Sequence, residues 1–167
     1  PQPPFPGAAI NHRADRNEAS ANLTGFMAIH NDVPTEIEKF RAMRFLFYEV
    51  MKRFGVTNPK SLQFRNQTYA AARTLFGTDE LSEDEDRTRG RQPYLNIPRT
   101  TIQKLAALTA GVQGIDSGPY VEEMGLADAE QIQTAEDTGW SLMRETGLSD
   151  VADPWAGSVV IERETVR

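Results

Sequence analysis

Apolar positions along the chain alternate between two periods. Residues 22–29 (NLTGFMAI) read as a strand, a short apolar run bounded by polar residues. Ile37, Phe40, Met43, Phe47, Val50, Met51 and Phe54 then recur at roughly helical spacing, which predicts a helix opened by Pro34-Thr35 and stopped at Gly55. Thr35 and Glu38 fit a capping box, in which hydroxyl and carboxylate satisfy orphan amides reciprocally. Residues 61–68 (SLQFRNQT) read as a second strand, with Gln63, Arg65 and Gln67 on one face and Leu62 and Phe64 on the other. Residues 96–110 predict a further helix with Ile102, Leu105 and Leu108 aligned, where Pro98 fits only the first turn. Residues 112–116 read as a short strand and 120–124 as one helical turn. Asp128 and Gln131 cap a longer helix through Ile132, Ala135, Leu142 and Met143, ended by Gly147. A turn at 153–157 (DPWAG) leads into a last predicted strand, 158–162.

The predicted order is β-α-β-α-β-α-β, the signature of an α/β protein with parallel strands and crossover helices. Three or four such units are too few for a closed eight-stranded barrel, so the chain is either a small open sheet or part of a barrel. In both cases chemistry belongs beyond the C-terminal ends of the strands, where this reading places Arg65, Gln67, Gln113 and Asp116. Residues 1–20 show neither period and read as an arm. The acidic run 79–86, followed by Arg87, Arg89 and Arg91, reads as a solvated loop.

Composition narrows the functions open to such a domain. Eighteen basic and 24 acidic residues give a formal charge of −6, which argues against nonspecific binding to nucleic acid or an anionic membrane. Without cysteine there is no disulfide framework, thiolate metal site or cysteine nucleophile, and two histidines, His12 and His30, are too few for a multi-histidine zinc site. No apolar run approaches the roughly 20 residues of a membrane helix. No secretory leader pattern opens the chain, and a reducing, cytoplasmic location is the default reading. The start at Pro1, without an initiator Met, reads as a piece of something longer.

Several ordered motifs carry a family resemblance. Residues 93–102 (PYLNIPRTTI) continue through Ala106-Ala107 to Gly111-Val112-Gln113, much like a P-Y-N-N-I-V-R-T segment followed by a G-T-Q strand. Glu145-Thr146-Gly147 and then residues 153–158 (DPWAGS) look like E-S-G…D-P-W-G-G-S. Upstream, residues 28–32 (AIHND) and 36–42 (EIEKFRA) look like the strand and helix that precede these motifs. Over residues 22–163 the chain thus resembles the substrate-binding barrel of the adenosylcobalamin-dependent acyl-CoA mutases, the methylmalonyl-CoA mutase family.

The resemblance implies the C-terminal half of a TIM-type (β/α) barrel at residues 22–163, with an arm or linker at 1–21 and a tail at 164–167. It implies an acyl-CoA substrate along the barrel axis and adenosylcobalamin capping it, bound mainly by another chain or domain. The reaction implied is a radical rearrangement in which a carbon-bearing group migrates between neighbouring carbons.

Carried over position by position, Asn22, Thr24 and Phe26 stand at the family's R-x-S-x-F, which contacts CoA, with Asn22 in place of the arginine. Gln67 and Thr68 match the Gln-Thr of an H-x-Q-T strand whose glutamine binds substrate, and Arg65 replaces its histidine. Gln113 matches a substrate-facing glutamine, and Glu122 a glutamate that holds the adenosyl ribose. Gly118 replaces an asparagine near it and Asp116 another histidine. Exchanging histidine for Arg65 trades a switchable imidazole for a fixed cation, which clamps a substrate carboxylate or thioester oxygen, signals a different substrate or lost activity, or forms an internal salt bridge for which Asp116 is one candidate partner.

No D-x-H-x-x-G occurs, so the cobalt-ligating histidine is elsewhere, and no metal ligand is assigned in this chain. The first half-barrel is also missing, so partner chains carrying it and the cobalamin-binding domain are expected. The rival reading is a catalytically silent subunit of such an assembly. A third is a free-standing α/β binding domain, whose apolar faces the arm would have to cover.

Overall fold

The computed structural model describes residues 15–71, 74–75, 93–116, 118–122 and 125–166. A short helix α1 (Arg16–Ala21) precedes strand β1 (Thr24–Ile29), and α2 (Val33–Arg53) leads to β2 (Arg65–Ala70). Next come α3 (Pro93–Thr109), β3 (Gly114–Asp116), α4 (Ala129–Glu145) and α5 (Val159–Thr165). The strands form one parallel sheet in the order β1-β2-β3. Each parallel neighbour is reached through a crossover containing a helix, as parallel pairing requires. Among the described residues the outer edges of β1 and β3 have no strand partner.

Local chemistry explains where the elements start and stop. Asp32, rather than Thr35, is the N-cap of α2: its carboxylate accepts from the Thr35 amide at 3.4 Å and from the Thr35 hydroxyl at 2.9 Å. The helix therefore begins earlier than the Thr35–Glu38 pattern suggests. Its predicted end is observed. Gly55 takes φ +81°, a conformation that glycine reaches without a Cβ penalty, and the amides of Gly55 and Val56 return to the carbonyls of Lys52 and Met51. The capping box of α4 is also present, with Asp128 and Gln131 each accepting the other's backbone amide at 2.9 Å.

Three expectations need correction. The predicted final strand at 158–162 is helix α5. Val159 and Val160 made the segment look strand-like, yet they are 77% and 56% exposed, and only Ile161 reaches the core. One buried residue per turn suits a helix on a surface, not a strand packed on one face. The second strand is displaced: Asn58 accepts from the Lys60 amide, residues Pro59–Leu62 curl into a 3-10 turn, and pairing begins at Arg65 and runs to Ala70. The face opposite Arg65 and Gln67 is consequently Asn66, Thr68 and Ala70 rather than Leu62 and Phe64. Finally, Pro98 lies inside α3, whose first turn starts at Pro93. The amide it lacks would have met the carbonyl of Tyr94, an exposed residue that water can serve instead.

The arm also ends in structure. Asp15 caps α1, the Ser20 hydroxyl donates to the Ser61 carbonyl at 2.6 Å, and Asn17 Oδ1 accepts the amides of Thr57 and Asn58. Polar bonds of this kind leave no hydrophobic period in the sequence. The acidic run at 79–86 and its arginines lie outside the described residues.

Ile29, Ile37, Phe40, Ala106, Ala107, Ala110 and Ile161 form the core, joined by Met27, Ile115 and Trp155. The 153–158 turn is held there by charge. Arg41 of α2 donates to Asp153 at 2.6 Å and to Glu162 at 2.7 Å. Trp155 packs against this core, whereas Trp140 is 48% exposed and lies under the Arg144 guanidinium.

Candidate functional site

Strand alternation divides the sheet into two unlike faces. Met27, Ile29, Thr68, Ala70 and Ile115 point toward the helices, and none is more than partly exposed. Thr24, Phe26, Arg65, Gln67, Tyr69 and Asp116 stand on the other face and are exposed. The register lines them up in rows: Thr24 beside Arg65, Phe26 beside Gln67, Gln67 beside Gly114, and Tyr69 beside Asp116.

Along the strand direction this open face changes character. At the N-terminal rim Arg65 donates to the Ala21 carbonyl at 3.0 Å, next to Asn22. Arg65 also lines an open cleft of about 850 Å3 with Arg41, Arg44, Tyr48, Phe64 and Gln113. Arg44 donates to the Ala110 carbonyl at 2.6 Å, and its burial lowers its pKa. In the middle, the Phe26 and Tyr69 rings stack at 5.1 Å, with Phe26 61% exposed. Gln67 stands here, and a Cβ on Gly114 would approach its Cγ to 3.1 Å, so glycine gives the amide room. At the C-terminal rim Asp116 ends β3, and Glu122 follows in a single turn closed by its amide on the Pro119 carbonyl. Arg65 and Tyr69 are four residues apart, so roughly 13 Å separates a cationic rim from an acidic one.

Geometry thus separates residues that the sequence reading put together. Arg65 and Gln113 lie at the N-terminal ends of their strands, not beyond the C-terminal ends. Asp116 is in register with Tyr69, at the far end of β2 from Arg65, which rules out the expected ion pair between them. The Gln113 side chain is committed to backbone: its Oε1 accepts from the Asn66 amide at 2.8 Å, and its Nε2 donates to the Gly111 carbonyl at 2.9 Å. It holds β3 onto β2 and does not share a face with Gln67. Asn22 is the C-cap of α1, beside the Arg65 contact, and Thr24 is exposed in the same row.

Of the three residues expected at the cofactor, Gly118 and Glu122 lie against each other. A Cβ on Gly118 would collide with the Glu122 carboxylate and would touch the Ala70 Cβ at 3.6 Å. The glycine therefore creates the space in which that carboxylate sits at the end of β2. A carboxylate suits hydroxyl donors, so these residues fit a ribose. No group of three or more metal-ligating side chains occurs among the described residues.

Tyr69 escaped the sequence reading, although it continues the Arg65–Gln67 alternation. The strand was ended one residue too early to include it. Lys104 was also missed. It lies in the helix layer, 1% exposed, with Nζ donating to the Ala135 carbonyl at 2.5 Å, and burial lowers its pKa to about 8. No helix among the described residues is long and apolar enough to cross a membrane.

Comparison with known proteins places this arrangement. A sequence model described as methylmalonyl-CoA mutase matches residues 7–167. The large subunit of 2-hydroxyisobutanoyl-CoA mutase from Aquincola tertiaricarbonis is 31% identical over 150 residues, 89% of this chain and 24% of that protein. Methylmalonyl-CoA mutase of Escherichia coli (strain K12) is 30% identical over 158 residues, 95% of this chain and 20% of the relative. Human mitochondrial methylmalonyl-CoA mutase is 31% identical over 147 residues, 87% and 18% of the two chains. The chain therefore spans about a fifth to a quarter of these relatives' length. A match of this extent, together with a parallel α/β sheet that bears the matched motifs, shows that the chain belongs to the methylmalonyl-CoA mutase family.

Proposed function

We propose that this chain forms one wall of the substrate barrel of an adenosylcobalamin-dependent acyl-CoA mutase, the rest of the barrel and the cobalamin-binding domain coming from another chain or segment. The observation that carries this reading is the uncovered sheet face. It presents an arginine, an amide, an aromatic pair and an acidic rim between two strand edges that have no strand partner among the described residues. Such edges and aromatic surface call for a cover.

An elongated acyl-CoA suits the gradient along the strands. Arg65 supplies the cation that Asn22 lacks, because its guanidinium reaches the residue before Asn22 and stands beside Thr24. Planar donors there suit a phosphate or carboxylate oxygen. Gln67 orients the thioester end, Phe26 and Tyr69 exclude water around it, and Gln113 acts through the backbone by keeping Gly114 against Gln67. Glu122 and Gly118, with Asp116 close by in the chain, would hold the adenosyl end of the cofactor. Bound adenosylcobalamin would supply the radical chemistry, and the residues of this chain position and shield the reacting groups.

The test is reconstitution with the completing chains and measurement of acyl-CoA rearrangement. Gln67→Ala lowers turnover roughly tenfold or more, the scale of losing one positioned hydrogen bond. Unchanged turnover in that variant counts against the assignment. A silent-subunit reading draws support from the commitment of Gln113 and Arg65 to backbone carbonyls and amides. It predicts full turnover for Gln67→Ala and loss only when assembly is lost.

A further inference from the structure

Helix α3 carries three polar residues, Asn96, Arg99 and Gln103, at spacings of three and four that put them on one side of the helix. Asn96 is 4% exposed and Gln103 is fully buried. Burying such groups costs free energy unless they are hydrogen-bonded, and Gln103 Oε1 is buried with no partner among the described residues, a cost an apolar residue would avoid. Their remaining bonds show what the row does.

Each residue reaches a segment that follows a strand. Gln103 Nε2 donates to Asn31 Oδ1 at 2.8 Å, two residues past β1, and to Thr74 Oγ1 at 2.6 Å, past β2. Arg99 Nη1 donates to the Leu75 carbonyl and to Asn96 Oδ1, both at 2.8 Å. Asn96 Nδ2 donates to the Tyr120 carbonyl at 3.0 Å, past β3. Asn31 Nδ2 closes the set on the Thr74 carbonyl at 3.2 Å. Only one orientation of these amides satisfies the set. Thr74 gives its own proton to the Ala71 carbonyl at 2.7 Å, so its oxygen can only accept from Gln103.

We propose that Asn96, Arg99 and Gln103 are positioning residues that tie the three post-strand segments into one rigid rim, and that the Asn96–Tyr120 bond sets where Gly118 and Glu122 stand. The purpose of that rim, holding the cofactor end of the site, rests on the function proposed above. One helix face thereby fixes three separate segments relative to each other, which strand pairing alone does not do beyond the last paired residues.

The experiment uses the full chain in its complete assembly and reads amide hydrogen exchange together with steady-state kinetics. Asn96→Ala speeds exchange about tenfold or more within residues 118–122 and leaves the β1 and β2 amides unchanged. It lowers kcat roughly ten- to hundredfold, as small misplacements do, with the KM for acyl-CoA within about twofold. Gln103→Met loosens 30–32 and 74–75 instead. If Gln103→Met fails to fold, Arg99→Lys, which keeps the charge but loses the shared donor, gives the local readout at 74–75. Exchange that stays unchanged in these segments, or rises equally across the sheet, overturns the proposal. A wild-type assembly with no rearrangement activity but with the local exchange pattern sinks the functional reading and leaves the rim frame standing. An active wild type whose variants show no local change does the reverse.

Discussion

The two faces of the sheet are built from neighbouring residues of the same three strands, yet they obey different rules. The covered face presents Met27, Ile29 and Ile115 to Ile37, Phe40 and the small alanines of α3, with Asn66 and Thr68 buried on the strand between them. The open face presents Phe26, Tyr69, Arg65 and Gln67, large or polar groups that no element among the described residues packs over. Because side chains alternate, packing and chemistry occupy adjacent positions without sharing atoms. Substitutions on one face should therefore register in stability, and those on the other in function.

The largest expected effect breaks the covered face. Phe40 is 1% exposed at the centre of the core, and Phe40→Ala costs about 3–5 kcal/mol, read as a fall in the urea midpoint at unchanged slope. Gln67→Ala, on the open face, should move the same midpoint by less than about 0.5 kcal/mol while lowering turnover. Equal stability losses from the two would erase the distinction between the faces.

Lys104 sharpens the comparison as the cation inside the covered layer. Burial lowers its folded pKa to about 8 from the ordinary lysine value of 10.5, so the charged form is disfavoured by folding. Between those two values the unfolded chain binds more protons, and stability rises with pH across that window. Below about pH 8 the penalty is fully present. Lys104→Met should remove it, stabilising the chain by up to about 3 kcal/mol at pH 7, less what the lost Nζ–Ala135 hydrogen bond contributed, and flattening the rise between pH 8 and 10.5. A stability profile that is the same in the wild type and the variant would refute this account.

The smallest effect concerns the turn that fastens α5. Arg41→Ala removes both carboxylate contacts, to Asp153 and Glu162. Those carboxylates are nearly half exposed, so the loss should be only about 0.5–1 kcal/mol and should shrink further in high salt.

Much of this was legible in the chain. The run at 22–29 and the stripe from Ile37 to Phe54 have the periods of the strand and helix they form, and Gly55 and the Asp128–Gln131 pair mark true ends. The aligned Ile102, Leu105 and Leu108 located α3, although its register against the post-strand segments was invisible. Misreadings arose where a local pattern competed with a contact made elsewhere. Val159-Val160 looked like strand because β-branched residues favour extended backbone, but Ile161 alone had a core to enter. Residues 15–21 showed no period because α1 is held by polar bonds to residues 54–61.

Residue types and spacings were enough to establish an α/β chain with parallel strands, its main helices, and its family likeness, because these depend on local period and on ordered motifs. Which rim each functional candidate occupies was decided in three dimensions. A one-dimensional pattern tells which residues share a face, but only strand pairing tells how far along that face each one lies. That is why Arg65 and Asp116, both read as lying at one end of the sheet, stand at opposite ends of it.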